Sequence, residues 1–459
     1  MVLPVQVLSP LDGRYQSTVA PLGEYLSEAG LNRARVHVEV EWLIALTDQR
    51  MFGSEPLSST QKESLRQVVT EFGQTEIDEL AALEATTRHD VKAVEYLVRA
   101  RLEKLGLGRV AELTHITCTS EDINNVAYAV TVRDALTNIW MPAFDAVIAE
   151  LRSLAHQHRA VPMLCRTHGQ PATPSTMGKE LAVFAHRLAR IRQHITNVTY
   201  LAKFSGATGT FSAHVAADSG ADWPAISRGF IEALGLEWNP LTTQIESHDW
   251  QAELYSHISH ANRIVHNLAT DMWTYISLGY FRQVPQAGAT GSSTMPHKIN
   301  PIRFENAEAN LELSCAVLDS LAASLVTSRM QRDLTDSTTQ RNIGVGLGHS
   351  LLALDNIRRG LAEVDLDVDA LERDLDANWE VLGEAIQTVI RAEVVAGNSQ
   401  ISDPYALLKD LTRGKKLTPV ALAEFVSGLD ISADAKTRLL ALTPSGYVGR
   451  AAELVSFLD

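Results

Sequence analysis

Apolar residues recur at Val126, Val130, Ile139/Trp140, Ala143/Phe144, Val147, Leu151 and Leu154, in steps of about three and four. A second run places Met177, Leu181, Phe184, Leu188, Ile191, Ile195, Val198 and Leu201 at similar spacing. That period marks a helix with one packing seam. It predicts long helices over 122–159 and 174–204, and three more over 249–281, 302–329 and 339–364. Such helices far exceed the average of about 11–12 residues. Five in succession predict an elongated bundle with seams on more than one side. The flanking regions differ. Residues 21–110 read as shorter helices, one through Val36, Val38, Val40, Trp42, Leu43 and Leu46, another through Leu65, Val68, Val69 and Phe72. Beyond 365 the helices are short again, 393–403 reads as an exposed loop, and only Gly206–Phe211 suggests a hairpin or glycine-rich loop. The expected fold class is all-α, with an N-terminal helical domain (1–112), a central long-helix bundle (113–364) and a C-terminal helical domain (365–459).

Dense polar clusters punctuate this pattern. Gly291–Glu305 reads G-S-S-T-M-P-H-K-I-N-P-I-R-F-E and follows the small-residue run Ala287–Gly291. It predicts a mobile loop carrying a hydroxyl, a cation and an amide, of the kind that closes over a substrate. Thr86-Thr87-Arg88-His89-Asp90 stands before a predicted helix, whose N-terminus attracts anions. Thr119–Asn125 opens the first long helix. Capping accounts for Ser120, Glu121 and Asp122, but not for Asn124-Asn125, which are poor helix formers. Arg166–Pro174 joins the first two long helices and holds His168 in a stretch pinned by prolines, as a positioned acid or base requires. Thr243–Asp249 opens the third. Ser328–Asn342 opens the fifth and offers three arginines suited to bidentate recognition of phosphate or carboxylate. Loops joining antiparallel helices fall at opposite ends, roughly 40 Å apart at 1.5 Å per residue. If these loops form one site, they come from different subunits, so an oligomer is expected.

Composition narrows the partners. A formal net charge of −15 argues against a general nucleic-acid or anionic-membrane surface. Cys118, Cys165 and Cys315 have no paired spacing, which fits a reducing cytosol and neither a disulfide framework nor a zinc site. The first residues lack a signal-peptide pattern, and no run of about 18 apolar residues exists to span a membrane. Cytoplasmic location is expected. The histidines and acids lack metal-ligand spacing, so neither metal nor cofactor is expected.

The stretch G-S-S-T-M-P-H-K-I-N-P resembles the signature loop of the fumarase/aspartase superfamily, whose members release fumarate from succinyl compounds. S-P-L-D-G-R-Y (9–15), T-T-R-H-D-V-K-A (86–93), T-S-E-D-I-N-N (119–125), R-T-H-G-Q-P-A-T-P (166–174) and S-R-M-Q-R-D-L-T-D-S-T (328–338) resemble its branch acting on succinylated purine nucleotides. The likeness runs in order along nearly the whole chain, and the 393–403 loop is longer than the family leads one to expect. The resemblance implies a homotetramer with active sites shared between subunits and a nucleotide substrate. By position it implies Ser292 as general base and His168 as general acid, with Lys298 and Asn300 on the succinyl carboxylate. His89 is the second choice as acid, or else a phosphate ligand or a partner orienting His168. Arg14, Tyr15, Arg332, Ser337 and Arg341 would hold phosphate; Arg88, Asp90, Thr119, Ser120, Gln244 and Asn306 would complete the pocket. Two other readings stay open. One is a superfamily lyase for argininosuccinate, malate or aspartate, substrates without phosphate. The other is a helical scaffold, which has no need of Ser292, His168, Lys298 and Asn300 together.

Overall fold

The computed structural model describes residues 7–285, 295, 298–412 and 417–459. It divides into two compact units: Met1–Asp145, Ile191–His266 and Asn306–Asp355 form the first, and Ala146–Arg190, Asn267–Glu305 and Asn356–Asp459 the second. The N-terminal region holds α1 (Glu28–Asp48, 21 residues), which is not one of the short helices the pattern predicts there, and the shorter α2 (Asp90–Lys104, 15 residues). The first seam becomes α3 (Ser120–Ala135) and α4 (Met141–Gln157), and the second becomes α5 (Met177–Thr196). The remaining seams become α6 (Asp249–Ser277), α7 (Ile302–Leu325) and α8 (Ile343–Ala362). Then come α9 (Val368–Asp376) and α10 (Gly383–Val395).

Three local features depart from the sequence pattern, each for a physical reason. Between α3 and α4, Leu136–Trp140 form a π-turn in which the Met141 N–H reaches the Leu136 carbonyl. Pro142 follows and has no N–H, so a wider turn falls where the helical ladder must lose a bond. The second seam begins at Met177, not at 174. Residues before it are strands β1 (Pro162–Thr167) and β2 (Gln170–Thr176), an antiparallel hairpin with a bulge opposite Met163–Cys165. The stretch read as a loop from 393 begins with the last turn of α10. There the Asn398 N–H bonds the Glu393 carbonyl (2.8 Å) and the Gly397 N–H bonds that of Val394 (3.1 Å). Gly397 at φ +77° makes this closure possible.

In the first unit, α1 packs against α3 and is buried on nearly every side. Val36, Val38, Val40, Trp42, Leu43 and Leu46 are at most 1% exposed, which is why its apolar residues do not keep to one stripe. The Trp42 ring lies 4.4 Å from that of Phe204 and 5.1 Å from that of Phe230. A buried polar chain links the long helices: Trp140 Nε1 donates to Ser350 Oγ (2.8 Å), and Ser350 to Asn262 Oδ1 (2.7 Å). Asn262 Nδ2 then donates to Ser314 Oγ (3.0 Å), which donates to the Gly346 carbonyl (2.7 Å). Gly206–Phe211 is a turn, not a hairpin; nearby β3 (Leu201–Ala202) pairs in parallel with β4 (Glu237–Trp238).

In the second unit, β5 (Phe281–Gln283) pairs antiparallel with β6 (Val364–Leu366). Leu382, Ile386, Ile390, Leu422 and Val426 belong to the core of its C-terminal helices. A smaller cluster of Leu164, Leu375 and Val381 seats β1 on α9.

Candidate functional site

The N-terminus of α3 is built from inside. Thr119 is its N-cap, and the Asp122 side chain accepts the Thr119 N–H at 2.8 Å. Asp122 also accepts the N–H groups of Ser205 (2.9 Å) and Gly206 (3.1 Å) and pairs with Lys203 Nζ at 2.9 Å. Both charged side chains are fully buried. Desolvating two ions costs several kcal/mol each unless they are paired and further hydrogen-bonded, as they are here. The amides that helix propensity left unexplained serve the same network. Asn125 Oδ1 accepts the Lys203 N–H (2.8 Å) while its Nδ2 donates to the Lys203 carbonyl (3.0 Å). Asn124 accepts from Arg35 Nε (2.9 Å) and donates to Glu121 (2.8 Å). Ser120 therefore sits at a rigid, half-buried helix start.

Two arginine clusters stand in the same unit. Asp90 meets Arg35 at 2.9 Å and Arg341 at 3.1 Å. Burial works against its carboxylate, but these two guanidiniums and the Val91 N–H hold its pKa below the usual value. Arg341 also donates to Ser337 Oγ at 2.9 Å. It lines a 450 Å³ cavity with Ser9, Asp12 and Glu28, so the N-terminal motif and the 328–342 segment share one space. Arg332 pairs with Glu121 (3.0 Å) and bonds Gln244 Oε1 (3.2 Å). Gln244 Nε2 in turn donates to the Ala207 carbonyl at 3.0 Å. Asn306 Nδ2 donates to the Tyr15 hydroxyl at 3.3 Å. The structure thus joins Asp90, Ser337 and Arg341, joins Gln244 with Arg332, and joins Tyr15 with Asn306. Arg14, Arg88 and His89 are exposed, and His89 caps α2 by accepting the Lys92 N–H on Nδ1 (3.2 Å).

His168, Lys298 and Asn300 belong to the second unit. His168 and Gly169 form the tip of the β1–β2 hairpin with φ of +55° and +75°, the signature of a tight two-residue turn. His168 and Lys298 are exposed and Asn300 is half-buried. No hydrogen bond joins these three among the described residues. Ser292 lies outside the described residues. A separate 510 Å³ cavity in the first unit, lined by Arg33, His37, Glu41, Arg66 and Arg133, contains none of the predicted site residues. Its arginines are already engaged, Arg66 with Glu41 at 2.6 Å, Arg33 with Glu24 at 3.1 Å and Arg133 with Asp134 at 2.8 Å.

Residues 13–317 match the Lyase family, and 328–448 match the adenylosuccinate lyase C-terminal family. The adenylosuccinate lyase of Haemophilus influenzae is 45% identical over 454 residues, 98% of each chain. The chain belongs to the adenylosuccinate lyase family. That of Escherichia coli (strain K12) is 44% identical over 453 residues, again 98% of each chain. A 3-carboxy-cis,cis-muconate lactonizing enzyme from Pseudomonas putida superposes with a TM-score of 0.75 over 97% of each chain at 19% identity, which shows a shared fold. Membership of the adenylosuccinate lyase family makes the chain a lyase. Among the described residues, no helix is long and apolar enough to cross a membrane.

Within this adenylosuccinate lyase framework, sequence patterning misses Arg35 and Lys203. Each is at most 1% exposed; Lys203 stands between Ala202 and Phe204, whereas Arg35 has polar neighbours in Arg33 and His37. A lone cation in a run otherwise fit for burial is the signal that could have flagged Lys203, because it needs a buried partner; Arg35 carries no such signal.

Proposed function

We propose that this chain exercises its adenylosuccinate lyase activity on adenylosuccinate, giving AMP and fumarate, and on the succinyl-carboxamide ribotide of purine synthesis. The observation that carries the reading is 45% identity across 454 residues, 98% of each chain, to an adenylosuccinate lyase. In the proposed reaction Ser292 takes the proton from the succinyl carbon beside a carboxylate. The electron pair is held as an aci-carboxylate. The C–N bond then breaks as a C=C bond forms, and His168 gives a proton to the departing purine nitrogen. Histidine suits that role near neutral pH. Serine is a poor base at its ordinary pKa, so its alkoxide requires a nearby cation and exclusion of water. Lys298 is assigned that role and, with Asn300, the carboxylate. Arg14, Tyr15, Arg332, Ser337 and Arg341 are assigned to phosphate. Arg88, His89, Asp90, Thr119, Ser120, Gln244 and Asn306 are assigned to the rest of the pocket. The hydrogen bond from Arg341 to Ser337 supports the phosphate grouping, and that from Asn306 to Tyr15 ties the two sets together. The proposal includes a cytoplasmic homotetramer with sites shared between subunits, and the three-domain division at residues 112 and 364.

The test is to add adenylosuccinate and follow the purine absorbance, with Ser292→Ala and His168→Ala as controls. Turnover of argininosuccinate or malate in place of adenylosuccinate would sink the substrate. Full activity in Ser292→Ala would sink the base alone. Inactive Ser292→Ala and His168→Ala proteins, mixed and allowed to exchange subunits, should regain partial activity. Failure despite demonstrated exchange counts against shared sites.

A further inference from the structure

The hairpin that carries His168 is not a free loop. Its base is apolar, Leu164 packing with Leu375 and Val381. Two residues further along β1, Arg166 Nη1 donates to the Tyr280 hydroxyl at 2.6 Å, and Arg166 Nη2 to Asp374 Oδ2 at 2.6 Å. The Tyr280 hydroxyl donates to the same Asp374 oxygen, which closes a three-membered ring of hydrogen bonds. Two of the corners are also fixed from behind. Asp374 belongs to α9, where Asn378 Nδ2 bonds its carbonyl at 2.7 Å. Tyr280 leads into β5 and accepts the Asp367 N–H on its carbonyl at 2.8 Å. Two residues beyond Arg166, about 6.5 Å at strand rise, comes His168. There Thr167 pairs with Gln170 across the two-residue turn.

We infer that Arg166, Tyr280 and Asp374 act as a clamp that sets the position of His168, and are positioning residues for its proton transfer. The inference rests on the reading of His168 as the acid. A short arm with a pinned base, a hydrogen-bonded clamp and a tight turn leaves the tip few ways to move. Proton transfer demands that, since a candidate acid must stand within hydrogen-bond reach of its target. An arginine suits the clamp because its planar fork engages two acceptors at once, which a lysine cannot copy. Tyr280 is kept as a donor: burial, reinforced by Asp374, raises its phenol to about 12. The Tyr280 hydroxyl therefore keeps its proton, and the clamp its hydrogen bonds, at neutral pH.

The test is a double-mutant cycle in the full-length protein, measuring kcat, KM and thermal unfolding with adenylosuccinate. Asp374→Asn is expected to lower kcat about 10-fold and Tyr280→Phe about 3-fold, with KM within about two-fold. In a His168→Ala background the same substitutions should change the residual kcat less than about two-fold, because the group they position is gone. Tyr280→Phe removes one hydroxyl and carries the test if Asp374→Asn fails to fold. Equal losses in both backgrounds overturn the inference, as does a lowered unfolding temperature with kcat intact. Wild-type activity in His168→Ala would instead defeat the acid assignment itself, and the clamp with it.

Discussion

The start of α3 and the tip of the β1–β2 hairpin both carry family motifs, yet they are held in opposite ways. At the first, Asp122 and Lys203 are fully buried and every charge has a partner. At the second, His168 is exposed, and what fixes it is backbone geometry at the tip and side-chain contacts at the base. One region places its polar groups by burying ions that would be ruinous if unpaired. The other keeps the proposed acid outside the core, where changing it is expected to cost the fold little. The difference teaches two ways of placing a polar group: those that hold are inside, and the proposed proton donor stands at the end of a short braced arm.

Substitutions can break that contrast. The largest effect is expected from His168→Ala, which should lower kcat by about 10²–10⁴-fold, the usual yield of general acid catalysis, while calorimetry shows an unchanged unfolding temperature. A large stability loss would place His168 with the holding groups. Next, Asp122→Ala strands the Lys203 ammonium and should cost about 3–5 kcal/mol in denaturant unfolding; a neutral result would deny the buried pair its structural role. Asn125→Ala leaves the Lys203 N–H and carbonyl short of partners and should cost about 1–3 kcal/mol. Gly169→Ala meets no neighbour within 4 Å, so only its φ of +75° is penalised; a loss of about 1–2 kcal/mol in unfolding is expected, with kcat falling as the tip relaxes. The smallest effect is a pH slope. His115 Nδ1 lies 2.6 Å from the buried Glu39 carboxylate, and although burial alone lowers its pKa, that partner raises it overall. The pair's stabilisation is complete below the ordinary value of about 6.5 and is lost as pH rises through the higher folded value. His115→Gln should flatten the stability profile in that window; an unaltered slope would remove His115 from the holding set.

How much of this was legible follows from the kind of signal. The seams through Val126–Leu154 and Met177–Ile195 foretold α3, α4 and α5 because each long helix buries a stripe. The hairpin was invisible: Pro162, Pro171 and Pro174 argue against strands, and His-Gly is a weaker turn signal than Asn-Gly. The motif residues Asp90, Ser337 and Arg341 were nameable, and their meeting depends on long-range packing that local pattern does not encode. Arg35 is hidden for the same reason, and Lys203 shows locally only as a lone cation between apolar neighbours, with no hint of its partner. Helix capping explains the local half of Asp122's role; the other half is Lys203, whose position relative to α3 no local rule supplies. Ser292 is named by its motif alone and falls outside the described residues.

The chain from Trp140 through Ser350, Asn262 and Ser314 to Gly346 has a direction. Its first member can only give a hydrogen bond and its last can only receive one, so the orientation of the hydroxyls and the Asn262 amide between them follows. This makes the route of sequence drift one-way. Ser350→Ala alone would orphan both the Trp140 donor and the Asn262 acceptor. Positions 140, 262, 314 and 350 are therefore open to change as a set and closed one at a time, a constraint on ancestry that no individual position reveals.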